Sequence, residues 1–365
     1  MNRYAFVFAL FPLVAYGSEI SHQMIRKNPP LAIHILEVDP EEYEIFPVRA
    51  LDLGFGRESV LSLTKRYGAV AGVNGGFFAI GGLYDGISRG ILKINQEWYA
   101  SAAKPRGAIG WKEQGREVLY GRVVNSAVVE INGHQLSIPA PSLNSPRSVD
   151  AMMLYSSSFS FTTLTEPNGV EVVIQGGKVK EMRESGSSCI PEGGWVLSCG
   201  DNKKSVLDEM GCEKGVSAHV EMSIMSQLDQ EDARWNAMDH VVGGTPLLVH
   251  EGSVITDFSS EKTLETFLTW PHARTAVGLL PNGHWIFVAV DGKQPGYSLG
   301  MKMHELASFM KGLGCIEALN LDGGGSTTMV FEGKVVNRPV GDEDEGLGSA
   351  QVRRVSDAIL IRKKH

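Results

Sequence analysis

Short apolar runs recur along the chain between glycines, prolines and asparagines, and most of them favour strands over helices. Residues 31–38 alternate, pause at Asp39-Pro40 and resume over 43–50, which predicts a hairpin. Residues 69–73 form a small β-leaning run that stops at Asn74-Gly75-Gly76. Residues 111–139 predict several short strands, with Asn132-Gly133 as the strongest hairpin signal in the chain. Residues 169–179 predict a second hairpin turned at Gly176-Gly177, and 276–291 two strands around Pro281-Asn282-Gly283. Strands are also expected over 216–226, 316–321, 327–334 and 355–361, with a further apolar run over 242–254. Helical spacing is clear at two places only. One is 58–66, ended by Gly68; the other is 303–313, where Leu306, Phe309, Met310 and Leu313 share a face. The polar stretch 229–239 reads as a loop carrying Trp235. Strands dominate the pattern, with two clear helices.

One echo stands out. Residues 58–76 run helix, glycine, strand, Asn-Gly-Gly, and residues 306–324 run helix, glycine, strand, Asp-Gly-Gly. An internal duplication of this unit would bring two glycine-rich loops to one place, although two copies fall below the usual repeat threshold. No low-complexity linker divides the chain, so one domain is expected over 18–365, with its core at about 31–361.

The amino terminus reads as an address. A positive start at Arg3 precedes an apolar run over 4–16, and Ala15-Tyr16-Gly17 places small residues where a signal peptidase cuts. A signal peptide over 1–17 and a secreted or periplasmic protein follow as expectations. The run is shorter than the roughly 20 residues that span a bilayer, and no later stretch is long enough, so no membrane span is expected after cleavage. Export would permit disulfides among Cys189, Cys199, Cys212 and Cys315, with Cys189 and Cys199 near enough in sequence for a hairpin bridge. Glycine is abundant, 42 of 365 residues, which implies many tight turns. A net charge of −8 without a basic run argues against a nucleic-acid partner. The acidic stretch 342–345 reads as a solvated loop.

The sharpest chemical signal is Asp322-Gly323-Gly324-Gly325-Ser326-Thr327 directly after a strand. Three glycines let backbone N–H groups converge on an anion, Asp322 stands at the mouth, and Ser326 and Thr327 add hydroxyls. The run is neither a phosphate-binding P-loop nor a nucleophile elbow. Arg274 can grip a phosphate or carboxylate through two parallel hydrogen bonds, and Asp291 is a second carboxylate at a strand end. Asn74-Gly75-Gly76 offers an amide on a flexible loop with Phe77 and Phe78 behind it as core, and Gly244-Thr245 offers another close backbone approach. No cofactor is called for. A divalent cation held by Asp322, Asp291 and Asn74 is conceivable, but no spacing demands it.

The ordered set of Asn74-Gly75-Gly76-Phe77-Phe78, Gly243-Gly244-Thr245-Pro246-Leu247, Arg274-Thr275-Ala276-Val277-Gly278 and 320–326 resembles the phosphodiester glycosidase family. The resemblance covers about 31–361 and is similar to that of secreted, exopolysaccharide-related bacterial members. It implies an α+β fold of twisted, mainly antiparallel sheets with a few helices, in keeping with the strand count, and a hydrolase that separates a sugar from a phosphodiester. Asp322, Arg274 and Asp291 would then be catalytic. Asn74, Gly75, Gly244, Thr245, Thr275, Gly323, Gly324, Gly325, Ser326 and Thr327 would hold the substrate. Two rivals remain: a glycan-binding module stacking sugars on Trp98, Tyr99, Trp235, Trp270 or Trp285, and a glycosidase acting on uncharged glycans.

Overall fold

The structure is a computed structural model that describes residues 20–102, 104–112, 115–138, 143–228, 231–341 and 352–364. The expected signal peptide and the acidic stretch 342–345 lie outside the described residues. Among the described residues, twenty-three strands form four sheets accompanied by five short α-helices, which is the expected mainly antiparallel α+β architecture.

The first sheet has seven strands in the order Ser21–Lys27, Leu31–Val38, Trp285–Val290, Arg274–Leu279, Glu317–Asn320, Leu247–His250 and Ser253–Val254. The second has five: Lys334–Val335, Met329–Phe331, Ala71–Asn74, Asp357–Lys363 and Tyr43–Arg49. A third sheet of seven strands is built around the long strand Val118–Ile131, and a fourth sheet of four strands contains Trp195–Cys199 and Val170–Gln175. The main core lies where the first three sheets meet. Leu36 and Phe287 come from the first, Val73 and Ile359 from the second, and Ile109 and Trp111 from the third.

Three expectations change. Leu31–Val38 and Tyr43–Arg49 do not pair with each other; the first joins Trp285–Val290 and the second Asp357–Lys363. The Asp39 carbonyl accepts the N–H groups of Glu42 and Tyr43, so the turn coils and passes the chain from one sheet to another. The several short strands expected over 111–139 are largely one strand of 14 residues, Val118–Ile131. It then turns back at Asn132-Gly133, both at positive φ, into His134–Ile138 as that dipeptide predicts. The stretch 229–239 is not only loop: Asp232–Asn236 is a helical turn that drives Trp235 into the interior.

The two expected helices form as Val60–Arg66 and Met303–Gly312. Ser59 caps the first by accepting the Ser62 N–H, and Glu305 accepts the Lys302 N–H at the start of the second. Leu306, Ala307 and Met310 seat the second helix on Ile33, Val288 and Ala318. No disulfide forms: Cys189 is exposed, and Cys199, Cys212 and Cys315 are buried thiols. Among the described residues no helix is long and apolar enough to cross a membrane.

Candidate active site

The strands Ala71–Asn74 and Glu317–Asn320 lie in different sheets, yet the loops that follow them meet. Asn74 makes the joint. Its Nδ2 donates to the Asp322 carbonyl at 2.8 Å, and its Oδ1 accepts from the Thr275 hydroxyl at 2.7 Å and the Thr328 N–H at 3.1 Å. The Asp322 N–H in turn donates to the Gly75 carbonyl at 3.1 Å. The two units that echo each other in sequence thus converge on one spot. Asn74 and Thr275 are buried and bonded to each other, so they act as scaffold rather than as open sugar contacts.

Asp322 is half-buried at this junction. Its Oδ1 accepts the Gly323 N–H at 2.8 Å. Burial pushes its carboxyl up to about 6 and the charge of Asp357 adds to this, against hydrogen bonds from Ser326 and Gly323 and the opposing charge of Arg353. The glycines after it serve close packing. A Cβ on Gly325 would lie 2.4 Å from the Gly341 carbonyl and 2.5 Å from the Arg353 guanidinium carbon, while Gly324 takes φ +61°. The expected convergence of backbone donors on an anion is largely absent. The N–H groups of Gly323, Gly324 and Ser326 are taken by Asp322, the Ala273 carbonyl and the Gly323 carbonyl. The cation beside this loop is Arg353, whose Nη1 lies 3.5 Å from the Ser326 hydroxyl.

Arg274 and Asp291 sit differently from expectation. Arg274 is fully buried. Its Nε donates to the Met301 carbonyl and one Nη to the carbonyls of Phe267 and Trp270, and its guanidinium lies 4.6 Å over the Phe267 ring. Burial lowers its pKa to about 10. Asp291 is also buried, held by His34 at 3.3 Å, Tyr297 at 3.0 Å, Asn337 at 3.0 Å and the Arg338 N–H at 2.9 Å. Asn337 donates onward to the Thr327 carbonyl, so Asp291 braces the glycine-rich loop from behind. Asp291 therefore does not join Asp322 and Asn74 around a cation. Among the described residues no three His, Cys, Asp or Glu side chains gather into a metal-holding group.

Thr245 is tied down too. Its hydroxyl donates to Glu261, a fully buried carboxylate that also accepts the N–H groups of Gly107 and Leu247 and the Arg122 Nε. A Cβ on Gly244 would strike the Asn320 carbonyl at 2.3 Å. Phe77 is half-buried, not core, with its ring edge against Phe267. Of the aromatics considered for sugar stacking, Trp235 and Trp285 are interior and Trp270 is 60% exposed.

Asp357, Arg353, Asn337 and Glu261 belong to the site without standing in any of its sequence motifs. Asp357 opens the strand Asp357–Lys363, and its Oδ1 accepts the Gly76 N–H at 2.7 Å while the Ser356 hydroxyl donates to Oδ2. A carboxylate in an otherwise apolar strand was the available signal.

Fold and site together define an antiparallel α+β protein whose polar centre lies between two glycine-rich strand ends. A sequence profile of the phosphodiester glycosidase family matches residues 168–362, more than half of the chain, and the chain belongs to that family. Over 137 residues it is 30% identical to the N-acetylglucosamine-1-phosphodiester alpha-N-acetylglucosaminidase of Bos taurus, an alignment covering 35% of this chain and 25% of the relative. The chain thus matches about a quarter of that relative's length. A hypothetical protein from Synechocystis superposes with a TM-score of 0.78 at 22% identity, over 94% of this chain and 62% of that one. The catalytic domain of the zebrafish N-acetylglucosamine-1-phosphodiester alpha-N-acetylglucosaminidase, auto-inhibited by its pro-peptide, superposes with a TM-score of 0.50 at 16% identity, over 95% of this chain and 83% of that one.

Proposed function

We propose that this protein is an exported hydrolase that cleaves the bond between a sugar's anomeric carbon and a phosphodiester oxygen, in the processing of glycan or exopolysaccharide. The observation that carries the reading is Asp322, a carboxyl raised to about 6 at the joint of the two glycine-rich loops with the Arg353 cation beside it. A carboxyl that keeps its proton up to about pH 6 can, below that pH, sit against a phosphate without charge repulsion and hand that proton to the departing oxygen. Arg353 complements the negative charge that grows on the phosphate as the bond breaks. Arg274, Asp291 and Asn74 hold the loops in register and are positioning residues. Export rests on the apolar run after Arg3 and the small residues at 15 and 17, and the mature domain would begin at Ser18.

The test is turnover by the purified chain from Ser18 onward, offered UDP-N-acetylglucosamine and related sugar 1-phosphodiesters beside nitrophenyl glycosides. Sugar release from the phosphodiesters alone supports the reading. Cleavage of the uncharged glycosides would move it to an ordinary glycosidase. Binding without turnover, surviving Asp322→Asn, would favour a glycan-binding module. Terminal sequencing of exported protein that did not begin at Ser18 would overturn the cleavage site.

A further inference from the structure

The second carboxylate of the site faces a space sized for a small molecule. Asp357 lines a narrow cleft with Gly76, Phe77, Ser88, Gly90 and Gly243. The cleft measures about 180 Å³ with its solvent-filled mouth, and its inner part has room for about one water. Its walls are tight because they are glycine. A Cβ on Gly76 would lie 3.1 Å from the Gly243 carbonyl, and one on Gly243 would lie 3.0 Å from the Ile91 nitrogen. At Gly90 the added carbon would meet nothing closer than 3.9 Å and would enter the open space.

Asp357 is 2% exposed, and its partners leave lone pairs over. A carboxylate offers about four acceptor positions. The Gly76 N–H takes one on Oδ1 and the Ser356 hydroxyl one on Oδ2, while Arg49 Nη1 stays at 3.8 Å. Gly75 stands between this carboxylate and Asp322. Its N–H donates to the Asp357 carbonyl at 3.0 Å, and its own carbonyl accepts the Asp322 N–H at 3.1 Å. Arg353 and the glycine-rich loop flank Asp322, and the water-sized cleft opens on Asp357. A glycosidic bond broken with one carboxyl on the leaving oxygen and another on an attacking water inverts the anomeric carbon.

Resting on the hydrolase reading above, we infer that Asp357 is the general base that holds the attacking water in the glycine-walled cleft, and that the reaction inverts the sugar's configuration. The Asp357 carboxylate takes a proton from the water as the water oxygen bonds to the anomeric carbon. The bond from that carbon to the phosphate oxygen breaks, and its electron pair leaves with the phosphate. The Asp322 proton passes to that oxygen. Asp357 then releases its proton to solvent and Asp322 takes one back.

The experiment follows α-linked UDP-N-acetylglucosamine hydrolysis by proton NMR, with wild type, Asp357→Asn and Gly90→Ala. Wild type is expected to release the β-anomer first. Asp357→Asn is expected to lose 10²- to 10⁴-fold in kcat, the range a general base contributes, so about that much. Gly90→Ala is expected to lose at least about tenfold in kcat with its melting temperature unchanged, because the added methyl displaces the water without striking the wall. If Asp357→Asn fails to fold, Gly90→Ala and the anomer decide. First release of the α-anomer, or wild-type kcat in Asp357→Asn or Gly90→Ala, overturns the inference and leaves the hydrolase standing. Absence of wild-type turnover on every sugar 1-phosphodiester overturns the hydrolase, and this inference with it.

Discussion

Asp322 carries the sharpest expectations for single residues. Its raised pKa means the folded protein keeps a proton that the unfolded chain has released between about pH 3.8 and 6. Stability therefore falls as pH rises through that window, and the full penalty is present above it. Asp322→Asn should raise stability by up to about 3 kcal/mol at pH 8 and by nothing near pH 3.5, read from urea unfolding at the two pH values. The same variant should lose turnover by about 10²-fold or more. In wild type, kcat/KM should fall as pH rises through about 6, as the proposed role of the protonated carboxyl on a leaving phosphate requires. A rise through that pH would recast Asp322 as a base. Asp291 works with the opposite sign. Burial raises its pKa, but hydrogen bonds from His34, Asn337 and the Arg338 N–H bring it net below the usual carboxylate value. Its contribution is thus present above the unfolded pKa and lost as acid titrates the folded carboxylate. Asp291→Asn should cost roughly 2–4 kcal/mol at pH 7, measured by the shift of the urea midpoint at constant slope. An unshifted midpoint would remove the brace assigned to it.

Between elements, the decisive contact is the one Asn74 makes at the end of Ala71–Asn74. One amide bonds a carbonyl of the loop after Glu317–Asn320, a hydroxyl of Arg274–Leu279 and an N–H ahead of Met329–Phe331. Asn74→Ala leaves several buried groups without partners, so a loss of roughly 2–4 kcal/mol is expected. Asn74→Asp keeps the acceptor but not the donor to Asp322, and should recover only part of it. A midpoint within 0.5 kcal/mol of wild type for Asn74→Ala, by the same unfolding measurement, would show that packing alone joins the sheets. The echo of helix, glycine, strand and glycine pair was visible in sequence because each unit is local. The hairpin over 31–50 misled for the same reason: alternation reports a strand's faces, not its partner. Both runs there are strands, and only the coiled turn at Asp39 decides that they part into different sheets.

Across the whole molecule, what the sequence left hidden is what long-range packing decides. Asp322 could be found because three glycines follow it directly, whereas Asp357 lies 35 residues further on and meets it only once two sheets close. Arg274 looked like a ligand grip because an arginine's burial among the carbonyls of Phe267, Trp270 and Met301 leaves no local trace. The cysteines pose the same question in covalent form. Cys199 lies in the strand Trp195–Cys199 at the meeting of the third and fourth sheets, packed with Leu197, Val172 and Ala127, and burial pushes its thiol up to about 12. Cys212 and Cys315 are likewise raised, to about 11 and about 12, by burial. Thiols held protonated in an apolar interior neither attack nor exchange readily, while exposed Cys189 can. Protein purified without reductant should therefore take up one equivalent of a maleimide when folded, at Cys189, and four once unfolded without reductant. Uptake of only two after unfolding would mean that two cysteines are joined in a bridge. If the lost sites map to Cys189 and Cys199, the end of Trp195–Cys199 must shift toward the surface to form it, and the packing described for that edge would give way to the covalent link.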